Sequence, residues 1–338
     1  VTAWCVVTSI AGPTEILARI AAACAREGLH FVLVGDEPSP RDFSLDGCEF
    51  LDLEAQRGLD LAFARLCPTR HYARKNIGYL LAMRRGAEML YETDDDNLPM
   101  DGFLEPRGRM VRGRVLDGPG WVNVYDWFAG RGIWPRGMPL EELGPRDEAP
   151  PAHDLPMERC LCPIQQGLVD GDPDVDAVCR QLLPPPRRLE ASPPLIPGRG
   201  AWCPFNSQNT VWWPEAFTLL YLPATCSFRM TDILRGFVAQ RVAWECGWRV
   251  AFQGPTAVQE RNEHGFLDDF RLEIPGYLHN GEIRRRLDAL DLSPGQEHIA
   301  DNMRRCYGVL SGLGVVEAAE SELLEAWLAD TARAGVAA

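Results

Sequence analysis

Three consecutive carboxylates, Asp94-Asp95-Asp96, directly follow the apolar run Met89-Leu90-Tyr91 and Glu92-Thr93. Adjacent like charges repel, so at the end of a buried strand they are tolerable when solvated or when they neutralise a cation. Oxygen ligands suit hard ions such as Mn²⁺ or Mg²⁺, which keep coordination positions open for substrate phosphates. An isolated triplet reads as a solvated acidic turn; its location after an apolar strand turns the balance toward a metal. A second candidate is Asp232, in Arg229-Met230-Thr231-Asp232, ahead of Leu234, Phe237, Val238 and Val242 at helical spacing and a stop at Gly247. There it lies in a first helical turn, where the helix dipole stabilises an anion. That position suits a simple helix-start charge, and equally a general base that deprotonates an acceptor hydroxyl. His264, in Gln259-Glu260-Arg261-Asn262-Glu263-His264, offers a late metal ligand or a phosphate contact, against the plain reading of a surface histidine. Trp202, Trp212 and Trp213 can stack on sugar faces at an acceptor cleft, but apolar core or interface packing is the safer reading.

The elements needed to position these groups are legible in the first half. Trp4-Cys5-Val6-Val7-Thr8-Ser9-Ile10 reads as a strand, Ile16, Leu17, Ile20, Ala21 and Cys24 as a helical stripe ended by Gly28, and Phe31-Val32-Leu33-Val34 as a second strand. This is a β-α-β unit whose strands must run parallel, the start of a doubly wound α/β sheet. A helix over 72–86 and a strand at 89–91 repeat the pattern. Ligands of such sheets bind beyond the carboxyl ends of the strands. Thr8, Ser9, Asp36 and the acidic triplet are therefore expected along one edge, with Asp36 accepting from a nucleoside and Arg74, Lys75 and Asn76 donating to phosphates. Residues 134–204 are rich in proline, glycine and charge and read as a loop-rich insertion, with Gly167-Leu168-Val169 a candidate strand before Asp170-Gly171-Asp172-Pro173. After Gly281 the chain reads as helical, with amphipathic stretches over 283–290 and 321–334.

With 338 residues, 46% of them apolar, the chain can bury a large core, and its formal charge of −14 argues against nucleic acid as a partner. No run of eighteen apolar residues predicts a membrane span. Eleven cysteines without a disulfide-scaffold spacing point to reduced thiols and a cytoplasmic setting.

Several blocks carry a resemblance. Tyr72-Ala73-Arg74-Lys75-Asn76-Ile77-Gly78-Tyr79 leading to Tyr91-Glu92-Thr93-Asp94-Asp95-Asp96-Asn97 resembles the STELLO glycosyltransferase family. So do Phe205-Asn206-Ser207-Gln208-Asn209-Thr210, Cys226-Ser227-Phe228-Arg229-Met230-Thr231-Asp232 and the block 259–264, so that the likeness spans most of residues 1–280. More remotely, the order of motifs is similar to inverting family 2 glycosyltransferases, with Thr231 where that pattern has Glu. The resemblance implies a GT-A-type, Rossmann-like mixed sheet flanked by helices, with the insertion and C-terminal helices added. It implies Asp94, Asp95 and Asp96 as the DxD equivalent and Asp232 as the base equivalent; taken with the reading of the residues, Asp94, Asp96 and His264 are the expected ligands for Mn²⁺ or Mg²⁺. The partners it implies are a nucleotide-sugar donor, foremost a UDP-sugar, and a glycan or other hydroxyl acceptor. The expected layout is a glycosyltransferase domain over 1–280, made of a nucleotide-sugar half (1–133), the insertion (134–204) and an acceptor half (205–280), and a helical extension over 281–338. A retaining transferase, a sugar nucleotidyltransferase and a non-catalytic nucleotide-sugar-binding scaffold remain open as alternatives; the nucleotidyltransferase lacks a glycine-rich phosphate loop near the first strand.

Overall fold

The computed structural model describes residues 1–105, 107–129, 132–143, 151–183, 187–190, 192–259 and 265–336; His264 lies outside the described residues. Strand β1 (Ala3–Thr8) leads through α1 (Glu15–Glu27) to β2 (His30–Val34). Thr14 caps α1 by accepting the Leu17 amide at 3.1 Å, a cap not read from the sequence, and Gly28 closes the helix as expected. β3 (Glu49–Leu51), α2 (Leu53–Arg57) and α3 (Ala62–Leu66) follow, and a 3₁₀ turn at Tyr72–Arg74 runs into α4 (Lys75–Arg84), which returns the chain to β4 (Met89–Thr93). β1 lies between β2 and β4 and is parallel to both. The sheet thus reverses its direction of growth at β1, and the carboxyl ends of β1 and β4 face one crevice.

The acidic triplet occupies the turn from β4 into β5 (Asn97–Pro99). Beyond it come β6 (Met110–Leu116), β7 (Gly120–Trp121), β8 (Met157–Leu161), β9 (Ile164–Asp170), α5 (Ala177–Leu182), β10 (Leu195–Pro197), β11 (Ala201–Trp202), β12 (Asn209–Trp212), α6 (Thr231–Glu245) and β13 (Val250–Gln259). The main sheet has the order β3-β2-β1-β4-β12-β9-β13-β10-β6-β8, with β5 paired to β13, and β7 and β11 form a separate parallel pair. β12 is antiparallel to both β4 and β9, which makes the sheet mixed. The segment 134–204 therefore does more than interrupt the sheet. Its strand β9, longer than the expected 167–169, is a central strand between β12 and β13, and β10 joins β13 to β6. Proline and glycine mark the connections within this stretch; the strands between them are stabilised by neighbours far away in sequence.

Period-two alternation assigns each strand residue to one of two cores. Ala3, Cys5 and Val7 of β1, Met89 and Tyr91 of β4 and Val211 of β12 pack with α1. Trp4 and Val6, Leu90 and Trp212 face the other way, into the larger core with α4 and α6. Both helices approach closely because of a glycine. A Cβ on Gly78 would lie 2.6 Å from Val6 Cγ1, and one on Gly236 would lie 2.5 Å from the Phe205 carbonyl.

Among the described residues, three α-helices follow β13: α7 (Phe266–Asp288), α8 (Ile299–Gly312) and α9 (Glu320–Arg333). α7 runs unbroken through the boundary expected at 280/281. The last helix is tied to earlier parts of the chain by buried carboxylates: Asp330 accepts the Phe63 amide at 2.8 Å, and Glu320 accepts the Thr225 amide at 2.8 Å. Among the described residues, no helix is long and apolar enough to cross a membrane.

The same alternation turns Glu92 of β4 inward, beneath α6. Its carboxylate accepts Arg235 Nη1 at 2.8 Å, Trp212 Nε1 at 2.8 Å and the Tyr79 hydroxyl. Side-chain exposure is 1% for Arg235 and 0% for Glu92. Burial opposes the Arg235 charge, but Glu92 more than restores it, and the guanidinium also lies 5.0 Å from the Trp212 ring centroid. Removing one partner leaves a buried charge unpaired. Arg235→Met and Glu92→Gln should each lower unfolding free energy by about 3–5 kcal/mol in urea denaturation, and the double variant should lose clearly less than the sum. Strict additivity would show that the two side chains do not depend on each other.

Candidate functional site

The three carboxylates of the β4–β5 turn fan out to different partners. Asp94 Oδ1 accepts the Tyr72 hydroxyl at 2.6 Å and Lys75 Nζ at 2.9 Å, while its Oδ2 has no partner among the described residues. Asp95 Oδ2 accepts the Ser9 hydroxyl, and burial pushes its carboxyl up from the ordinary value. Asp96 is buried, and its Oδ2 accepts Gln259 Nε2 at 2.9 Å across the β5–β13 pairing. Among the described residues no three His, Cys, Asp or Glu side chains come close enough together to hold a metal. The groups grouped by the sequence reading therefore separate into two sets.

Ser9, Asp94, Asp95, Asp96 and Lys75 gather at the carboxyl ends of β1 and β4. Asp36 lies past the end of β2, where its carboxylate accepts the amides of Glu37 at 2.7 Å and His71 at 2.9 Å. The Thr8 hydroxyl is turned back to the Val34 carbonyl at 2.9 Å. Arg74 and Asn76 point away from the crevice, and this corrects their expected phosphate role. Arg74 is buried against Gln56 and the carbonyls of Cys67 and Pro68, while Asn76 pairs with the amide and carbonyl of Leu222. Neighbouring helical residues differ by about 100° in direction, so of the three only Lys75 reaches the acidic turn. It is fully buried, and its three protons are shared among Asp94, the Tyr72 hydroxyl and the carbonyls of Thr93 (2.7 Å) and Ser207 (3.3 Å). In this arrangement the ammonium is saturated by protein oxygens. The three tryptophans follow the safer reading of apolar packing: Trp202, Trp212 and Trp213 are all buried, and none opens a ring face to a ligand.

Asp232 is reached from Asp94 through two hydroxyls. Tyr72 Oη lies 2.5 Å from Ser207 Oγ, and Ser207 donates its amide to Asp232 Oδ2 at 3.3 Å; with the Tyr72 proton given to Asp94, the single Ser207 hydroxyl proton serves either Tyr72 Oη or Asp232 Oδ2, 3.4 Å away. Burial, with Asp94 beside it, holds the Tyr72 phenol well above its ordinary value, so it remains a donor. On its other side Asp232 meets Arg136, whose Nη1 and Nη2 reach both carboxylate oxygens at 3.0 and 2.9 Å. The same guanidinium grips Asp174 at 2.8 and 2.9 Å. Asp174 also accepts Asn206 Nδ2 at 2.6 Å, and the Asn206 amide donates to Gln166 Oε1 at 2.8 Å. Burial alone would raise the Asp232 carboxyl, but Arg136 overrides it and brings the value down to about 2.

The chain's likenesses bear on this arrangement. A family model described as STELLO glycosyltransferases matches residues 229–337, from the turn before Asp232 through the C-terminal helices. The chain is 33% identical over 275 residues to "Probable glycosyltransferase STELLO1" of Arabidopsis thaliana, and 33% identical over 272 residues to "Probable glycosyltransferase STELLO2" of the same plant. Each match covers 75% of this chain and 35% of the relative. The chain belongs to the STELLO glycosyltransferase family. It spans about a third of the length of the curated relatives it matches. For this STELLO chain, the helices first read as an extension after residue 280 fall within the segment that the family model describes.

Sequence reasoning gave no role to Tyr72, Arg136, Asp174, Asn206 or Ser207. Tyr72, Asn206 and Ser207 stand inside motif blocks that were legible as blocks, and Asp174 adjoins the acidic turn 170–173. Arg136 carries no local signal, because its two partners lie 38 and 96 residues away in sequence. Since the folded-state value of Asp232, about 2, lies below its ordinary 3.8, the pair contributes stability above about pH 4 and loses it as pH falls toward 2. In urea denaturation across that window, wild type should weaken more steeply than Arg136→Gln. Near neutrality the variant should be less stable by about 3–5 kcal/mol, with Arg136→Lys in between. Equal acid slopes for wild type and Arg136→Gln would show that Arg136 does not hold Asp232 ionised.

Proposed function

We propose that this STELLO chain transfers a sugar from a nucleoside diphosphate donor, foremost a UDP-sugar, to a hydroxyl of a glycan or other polar acceptor, with inversion and with the help of a divalent metal. The observation that carries this reading is the pairing of two carboxylate centres, Asp94 at a strand end and Asp232 at a helix start, joined by the hydroxyls of Tyr72 and Ser207. The donor chemistry of the acidic turn fits Mn²⁺ or Mg²⁺: its side chains offer oxygen only, Asp94 is 28% exposed, and its Oδ2 has no protein partner among the described residues. Asp94 and Asp96 would hold the ion, with His264 a third ligand; a bound ion would neutralise charge on the donor pyrophosphate. Ser9, Asp36 and Asp95 would border the nucleotide, with Thr8 supporting the strand end.

In this reading Asp232 receives the proton of the acceptor hydroxyl. Its bidentate pairing with Arg136 and its low value make it a weak base as it stands, so the acceptor must draw one carboxylate oxygen away from the guanidinium. The same observation favours a second reading, a retaining transfer in which Asp232 orients the acceptor and takes no proton.

Titration calorimetry with a panel of UDP-sugars and other nucleotide sugars should show Mn²⁺-dependent binding that Asp94→Ala and Asp96→Ala weaken strongly. Asp232→Asn should keep donor affinity and lose turnover by about a hundredfold or more, the scale of general-base catalysis. The product's anomeric configuration, read by NMR, decides between inversion and retention. Absence of metal-dependent nucleotide binding in wild type would overturn the proposal.

A further inference from the structure

We propose that Phe228 is the acceptor platform of this site, and that it recognises the C–H face of a pyranose ring. The inference deepens the glycosyltransferase reading and rests on it for the placing of the acceptor. Among the described residues, Phe228, half exposed at 50%, is the sole aromatic side chain among the exposed large hydrophobics, and the tryptophans of the sequence motifs are packed inside. Its exposure is not looseness. On one side Ser227 donates its hydroxyl to the Leu272 carbonyl, and on the other Arg229 donates to Glu273 Oε1 at 2.7 and 3.0 Å. The 3₁₀ turn Phe228–Met230 is thereby fastened to α7 on both flanks of the ring.

Location gives the ring its meaning. Phe228 packs edge-on against Tyr72, with centroids 5.8 Å apart and planes at 75°, and the Tyr72 hydroxyl is the group that touches both Asp94 and Ser207. An apolar surface therefore stands beside the junction of the donor and acceptor carboxylates, four residues before Asp232. A pyranose presents polarised C–H bonds on one face, which match the negative face of an aromatic ring, and hydroxyls around its edge, which match carboxylates. A hydrocarbon would offer nothing to Asp94 Oδ2, which has no partner among the described residues. Glycan acceptors fit both halves of the surface.

The test uses the full chain with UDP and Mn²⁺ present and reads saturation-transfer NMR with methyl glycosides of glucose, galactose and mannose, with 1-butanol and choline as the competing chemistries. Wild type should transfer saturation to the ring C–H protons of at least one glycoside. Phe228→Ala should weaken that binding by about tenfold, and Phe228→Trp should restore it. UDP affinity by calorimetry should be the same in all three proteins, which also shows that the variants are folded. No glycoside signal on wild type, an unchanged affinity in Phe228→Ala, or butanol or choline as the Phe228-dependent ligand would overturn the platform. Glycoside binding through Phe228 without UDP binding would uphold the platform and sink the transferase reading; UDP binding without glycoside binding would do the reverse.

Discussion

Glu92 and Arg235 form the contact on which the site's geometry depends. Two residues beyond Glu92 the chain presents Asp94, and three residues before Arg235 it presents Asp232, so one buried ion pair fixes the spacing of both carboxylate centres. A buried pair contributes little net stability over well-packed apolar side chains, because desolvation offsets most of its Coulomb attraction. What it supplies is register. Arg235 must meet Glu92, and Trp212 and Tyr79 complete the carboxylate's hydrogen bonds, so α6 cannot slide along β4 without leaving a charge unpaired.

The same device recurs around the crevice, each time between different elements. Lys75 at the start of α4 answers Asp94 after β4, and Arg136, from the proline-rich segment, answers Asp232 of α6 and Asp174 after β9. In a chain of net charge −14 these buried cations are spent where carboxylates would otherwise repel. Glu273 of α7 extends the pattern by receiving Arg229 and the Ala177 amide, so the first C-terminal helix clamps both the turn before Asp232 and the start of α5. The site is consequently assembled from segments spread over most of the chain, and the C-terminal helices belong to its support.

What was legible in the sequence follows from this construction. The β-α-β start, the Gly28 stop, the strand leading into Asp94 and the helix beginning at Asp232 all rest on signals within a few residues, and the structure has each of them. Direction within an element was not legible. Arg74, Lys75 and Asn76 are three adjacent polar residues, and only the packing of α4 on the sheet decides that Lys75 alone meets the acidic turn. The tryptophans were legible as core residues sooner than as a binding face, because the large ring area that suits them to stacking also suits them to burial, and all three are buried. Strand β9 was underrated because glycine and proline punctuate its surroundings, while the hydrogen bonds that make it a strand come from β12 and β13.

On the proposed transferase reading, the pairing of Asp232 with Arg136 also shapes what an acceptor would have to do. A free carboxylate attracts any cation or water, whereas one held by a buried guanidinium on one side and by the Ser207 amide on the other yields an oxygen only to a group that compensates Arg136. A hydroxyl delivered on a ring that rests against Phe228 arrives with its position fixed by other contacts, so part of the entropy cost of alignment is met before the carboxylate is engaged. Water has no such second contact. If Asp232 is the base, the ion pair that weakens it would therefore also discriminate against hydrolysis of the proposed donor, because the proton acceptor would become available chiefly when a properly seated acceptor competes for it.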